Sequence, residues 1–243
     1  ASRKFAPAWI KDGAWTSYAK IALARMEHAS EDGLKPTDYQ INTVLTGLSA
    51  PELASKDIDL TVNVMHCCID MGEGRPELKQ IDETQFHYSK KIDPVKILLA
   101  GLKSPNFGDW FSNLSPSSKQ YVLLKQQLAH YRMLAKKPWP ALPRVSLKRG
   151  SRHGSVRTLR YKLAVLGDLQ GGNPESRKFS RKVEAAIKNF QWRHGLQVDG
   201  IVKAETRNAL NTSLLHRINQ IKVNMERLRW VPDHRTGRHI LVN

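Results

Sequence analysis

Cysteine is nearly absent: two residues in 243, side by side at Cys67 and Cys68. That excludes a disulfide-stapled scaffold, and a bond between adjacent cysteines would be strained. No apolar run approaches the roughly 18–20 residues of a membrane helix. The opening Ala1-Ser2-Arg3-Lys4-Phe5 lacks the apolar stretch of a signal peptide. HExxH is missing, and the nine histidines show no ligand-like spacing. A phosphate-cradling G-x-x-x-x-G-K-[ST] and a G-x-S-x-G elbow are missing too. No metal, no cofactor and no catalytic residue are therefore expected. In His66-Cys67-Cys68 an adjacent imidazole cannot activate a thiol, because helical neighbours point about 100° apart. Glu73, Glu77, Asp82 and Glu83 are the acids nearest to a glycosidase pair, and they read as ordinary surface acids.

Acid is also scarce, but only in one part of the chain. Residues 1–143 carry 18 basic and 15 acidic side chains, whereas 144–243 carry 21 and 7, so most of the net +17 lies in the second segment. Between 144 and 182, eleven Lys/Arg face only Asp168 and Glu175. Such a field attracts polyanions: nucleic acid, an anionic membrane or an acidic wall polymer.

What is present reads mainly as helix. Tyr18, Ala22, Met26 and Ala29 share one face, ended by Gly33 and Pro36. Residues 57–71 are apolar on several sides, which predicts a central buried helix stopped by Gly72. Asp93-Pro94 reads as an N-cap and first turn with Gly101 as the stop, and Ser115-Pro116 repeats that start signal. Tyr121, Leu124, Leu128, Tyr131 and Ala135 follow at helical steps. Pro138-Trp139-Pro140-Ala141-Leu142-Pro143 cannot be helical throughout. It reads as an extended connector whose tryptophan packs against something.

Residues 155–211 read as a compact module. Val156, Leu159, Leu163 and Leu166 make one face, and Val183, Ala186, Ile187 and Phe190 a second. Phe179…Val183…Ala186-Ile187 has the spacing of Val202…Thr206…Ala209-Leu210, a weak internal repeat that implies pseudo-symmetry in three helices. Leu214, Ile218, Ile221, Met225 and Leu228 form a narrow seam on a further helix, ended at Trp230-Val231-Pro232. Arg238-His239-Ile240-Leu241-Val242-Asn243 reads as a strand whose partners are expected downstream.

The pattern Leu159, Leu163, Leu166-Gly167, Phe179…Val183…Phe190-Gln191…Gly195-Leu196…Asp199-Gly200…Thr206…Ala209-Leu210 resembles the peptidoglycan-binding domain type 1. Its first loop lacks the usual Asp-Gly pair, and Lys203 stands where glycine is common. The flanks resemble YcbB-type L,D-transpeptidases: Gly33-Leu34-Lys35-Pro36-Thr37-Asp38-Tyr39, Ile58-Asp59-Leu60 leading to Gly74-Arg75, Pro116…Tyr121 through Trp139-Pro140, and Asn224 to Pro232. That family's S-H-G-C-[IV]-R cysteine motif is absent. The resemblance implies that the catalytic domain begins near 233, and that these residues serve a periplasmic or cell-envelope cross-linking enzyme whose signal peptide has been removed. Its partners would be peptidoglycan stems or glycan strands, the catalytic domain and other wall enzymes.

The expected fold is mainly α. It comprises a helical scaffold at 1–143, a basic linker at 144–154, a three-helix module at 155–211, a linker helix at 212–232 and a short strand at 233–243. For ligand binding, Arg177, Lys178 and Arg181, with Lys182, flank the start of the Val183 helix. Cations beside free N–H groups suit a carboxylate, such as those of peptidoglycan stems. Asp199, Gly200 and Thr206 occupy motif positions, and would either touch ligand or build the turn and cap. The bland alternative for the cations is a solvated surface. Rival functions are a stand-alone non-enzymatic wall-binding protein and, more weakly, a nucleic-acid binder. The latter lacks interleaved aromatics and any zinc-finger or RRM signature.

Overall fold

A computed structural model describes residues 6–75 and 92–230. The strand read at 233–243 and the acids Glu77, Asp82 and Glu83 lie outside the described residues. Within them the chain is mainly helical, as expected: nine α-helices and one two-stranded antiparallel ribbon. The ribbon pairs β1 (Ile10–Lys11) with β2 (Ala14–Trp15). Its turn is Asp12-Gly13, with φ of 51° and 71°. Asp-Gly is a sequence signal for such a tight hairpin turn. None of the described helices is long and apolar enough to cross a membrane. The chain divides into two compact units, one from 1–128 and 221–243, the other from 129–220.

In the first unit, α1 (Ser17–Glu27) is capped by Thr16, whose hydroxyl accepts from the Ala19 amide at 3.2 Å. It buries Ala19, Ala22 and Met26. A 3₁₀ turn (His28–Asp32) continues the chain to Gly33, at φ 77°. Helix α2 (Ala50–Gly72) starts on a capping box of Ser49 and Glu52. It is amphipathic, not buried all round. Leu60, Val64, Cys67, Cys68 and Met71 face the core, while Ile58 and Val62 on other faces are 63% and 41% exposed. The Asp57 carboxylate anchors the N-terminal segment to α2, accepting from the amides of Ala8, Trp9 and Ile10 at 3.0, 2.6 and 3.1 Å.

Three expected stop or start signals act differently. Gly72 is the last helical residue without a left-handed φ, and Gly74 takes φ 76° instead. A Cβ on Gly72 would lie 2.5 Å from Ile92 Cδ1, so close packing and not helix termination calls for glycine there. Gly101 sits inside α3 (Pro94–Lys103), because the Trp110 ring lies 2.5 Å from where its Cβ would be. Asp93 caps α3 as expected, accepting from Val95 and Lys96. Ser115 does not start a helix. Its hydroxyl donates to Asp32 at 3.0 Å, and α5 (Lys119–Leu134) begins four residues later. Between them, α4 (Phe107–Ser112) supplies Phe107 and Phe111 to an aromatic core with Trp9 and Trp110.

Helices α6 (Ser155–Val165), α7 (Arg181–Arg193) and α8 (Ala204–Asn211) enclose the second core around Val156, Leu159, Leu163, Phe179, Ile187, Phe190 and Leu210. The final helix is α9 (Leu214–Trp230). The proline-rich connector is fastened in this unit. Trp139 Nε1 donates to the Thr212 carbonyl at 3.0 Å, and Asn211 and Leu142 exchange two hydrogen bonds. The Lys162 ammonium, wholly buried, donates to the Leu210 carbonyl at 2.9 Å and sits 3.8 Å from the Trp139 ring centroid. Burial lowers its pKa to about 8.

Candidate functional site

The internal repeat has a physical counterpart in one short segment, 147–153. At one end Leu147 bridges Val202, with the Val202 amide donating to the Leu147 carbonyl at 2.8 Å. At the other end Phe179 accepts from Gly150 at 3.0 Å and donates to Ser151 at 2.9 Å, while His153 donates to the Arg177 carbonyl at 3.1 Å. Phe179 and Val202, equivalent in the repeat, are thus tied to one segment immediately before α7 and α8. Val183 and Thr206, the next equivalent pair, are both buried.

This pairing assembles the basic patch. Arg152 bridges Lys178 across the isolated antiparallel pair. Arg177, Lys178, Arg181 and Lys182 are all exposed, and among the described residues none makes an ion pair. Arg149 is partly neutralised by Glu184 at 3.8 Å in the first turn of α7. Ser180, the α7 N-cap residue, makes no side-chain capping bond. The result is a run of free cations beside a helix start, able to hold an anion by charge and by amide donation.

Asp199, Gly200 and Thr206 come together elsewhere, around a residue the sequence reading quoted but did not select. The buried Gln191 amide nitrogen donates to Asp199 Oδ1, the Ile201 carbonyl and Thr206 Oγ1 at 2.9, 3.1 and 3.1 Å. Its oxygen accepts from the Gly200 amide at 2.8 Å. Gly200 has φ 75°, and a Cβ there would lie 2.9 Å from Glu184 Cγ and Lys188 Cε. Asp199 also binds Lys203 at 2.8 Å. Hydrogen bonding by Lys203, then by the Ile201 amide, lowers its pKa to about 2. All the polar atoms of this trio that meet Gln191 are engaged in shaping the loop. Among the described residues no hydrogen bond or ion pair joins it to Arg177, Lys178 or Arg181. The signal for Gln191 was the Phe190-Gln191 pair itself.

The first unit holds a polar centre that sequence patterning did not suggest. Asp32, fully buried, accepts from Arg25 at 2.5 Å, and from Lys125, Ser115 and Tyr121 at 3.0 Å each. Arg229 donates to the Asp32 carbonyl and, at 2.7 Å, to the Tyr121 hydroxyl. A cleft of about 440 Å³ opens beside Arg25 and Lys125. No group of three or more His, Cys, Asp or Glu side chains among the described residues is arranged to hold a metal ion.

Comparison with known families matches residues 1–128 to the Scaffold domain and residues 152–210 to the peptidoglycan binding domain. No curated protein matches the chain.

Proposed function

Because the chain belongs to the Scaffold domain family and its second unit matches the peptidoglycan binding domain, we propose that it holds cell-wall polymer for cross-linking by L,D-transpeptidase chemistry. In this reading the second unit binds peptidoglycan stems or glycan strands, and the first is the structural scaffold. The setting is the periplasm or cell envelope. The cysteines take no part in bond making. Burial pushes the Cys67 thiol up to about 12 and Cys68 higher still, which leaves no thiolate at neutral pH.

The observation that carries the reading is the patch of Arg177, Lys178, Arg181 and Lys182, free of carboxylate partners and raised on a segment paired with Arg152. Exposed, unpaired cations give attraction screened beyond roughly 8–10 Å at moderate salt. Co-sedimentation of the full chain with insoluble peptidoglycan tests it. Retention should fall as salt rises, and fall further in an Arg177→Glu/Lys178→Glu/Arg181→Glu variant. Equal retention by the variant would remove the patch from the binding site. If duplex DNA stripped the protein from the polymer at physiological salt, the nucleic-acid reading would replace this one.

A further inference from the structure

Within the same module, Arg160 on α6 is 6% exposed, yet it makes no hydrogen bond or ion pair among the described residues. Its Nε is sealed from water without a partner. An isolated buried charge is costly, so buried guanidinium groups are normally matched by an anion. The acids of this segment are held by other partners. Asp168 is clamped by Arg193 through two hydrogen bonds at 2.9 and 2.5 Å, and Glu175 by Arg157 at 3.4 Å. These are the sole acids between 144 and 182.

The loop that covers Arg160 is itself exposed at Gly171 and Gly172. Gly171 and Gly172 both take left-handed φ, 66° and 87°. A Cβ on Gly172 would stand 2.6 Å from Arg160 Nη2, so the bare glycine lets the loop lie directly over the guanidinium. The amides of Gly171 and Gly172 donate to nothing among the described residues. The pseudo-symmetry sharpens the contrast. Arg160 lies on α6, the helix before the first loop, and Gln191 on α7, the helix before the second. Gln191 is fully satisfied by Asp199, Gly200, Ile201 and Thr206. Arg160, under a glycine loop that supplies no carboxylate, has its donors left over.

We propose that Arg160 and the Gly171-Gly172 loop form a carboxylate-binding site, which takes a free carboxylate of a peptidoglycan stem peptide. This rests on the wall-binding reading above and adds a second, neutralising contact within the same module. The planar guanidinium fork suits a two-oxygen carboxylate, and the site's low exposure strengthens a charge-assisted bond. The two exposed loop amides add donors.

The test is calorimetric titration of the full chain with a soluble stem peptide carrying free carboxylates, and with the same peptide amidated. The free acid should bind roughly tenfold or more tightly than the amide, as expected for hydrogen bonds to a charged partner. Arg160→Gln should erase that difference, while Arg160→Lys keeps part of it. The Arg160 Nε–H resonance should shift with the acid alone, which reads the site in the unaltered protein even where a variant folds poorly. Equal affinity for acid and amide, an unmoved resonance, or full discrimination by a folded Arg160→Gln protein would overturn the site. Inorganic phosphate competing as well as the peptide would overturn its carboxylate character. Retention on insoluble peptidoglycan by wild type and Arg160→Gln alike, without acid–amide discrimination, would sink this site and leave wall binding standing. No retention of wild type at all would instead sink the wall-binding reading.

Discussion

The Tyr121 hydroxyl donates to the buried Asp32 carboxylate at 3.0 Å while accepting from Arg229 at 2.7 Å, so one phenol joins α5 to both the first turn-rich segment and α9. Burial works against ionised Asp32, but the charges and hydrogen bonds of Arg25 and Lys125 outweigh it and hold the pKa below the ordinary value. Replacing Asp32 by Ala leaves two cations facing an empty site. That should cost about 3–5 kcal/mol, as for breaking a buried ion pair. Tyr121→Phe should cost less, about 1–2 kcal/mol. Urea unfolding of the two variants checks the order. A loss below that of Tyr121→Phe for Asp32→Ala would mean the centre is not structural.

Gln191→Leu keeps volume but strands Asp199, Gly200 and Thr206 without their shared partner. The expected loss is about 1–3 kcal/mol, the cost of an unsatisfied buried polar group. Hydrogen exchange at the Gly200 amide should accelerate with it. An unchanged exchange rate would show that the loop is held by other means.

Asp199 makes stability depend on acid in a defined direction. Its folded pKa is near 2, below the ordinary carboxylate value of 3.8, so its contribution is complete above about pH 4 and is lost as pH falls toward 2. Asp199→Asn removes that dependence. Between pH 4 and 2 the gap in melting temperature between wild type and variant should therefore close. A constant gap would show that folding leaves the Asp199 pKa unshifted.

Lys162 acts in the opposite range. Its folded pKa of about 8 lies below the ordinary lysine value of 10.5, so the unfolded chain binds the extra proton between those values and folding gains as pH rises. Relative to Lys162→Met, wild type should become more stable from pH 8 to 10.5. Taking the difference between the two proteins removes the contributions of Tyr and Cys groups. A flat difference would mean the ammonium titrates as in water.

Both thiols should resist an aromatic disulfide reagent in the native protein and react at once in denaturant, since Cys67 and Cys68 are fully buried with raised pKa. Rapid labelling at neutral pH in the native state would contradict the buried placement.

Sequence patterning alone was enough for the helical class, for the cap at Asp93, and for the apolar face around Val183 and Ile187. These depend on spacing along one helix or on a side chain reaching its own backbone, both local. The packed connector was legible too, since three prolines and a tryptophan leave few alternatives. Where the reading failed, the deciding atom was distant in sequence. Gly72 and Gly101 look like stops until Ile92 and Trp110 arrive to fill the space a Cβ would take. Ser115 resembles a cap until Asp32 claims its hydroxyl. The face of α2 that is buried depends on which neighbours cover it, so Ile58 and Val62 could not be distinguished from Leu60 by composition. The same holds for the site residues. That Arg177 and Lys178 are basic is written in the chain, but that they are unpaired, that Gln191 gathers three motif residues, and that Arg160 is buried without an anion are properties of partners brought together only by the tertiary fold.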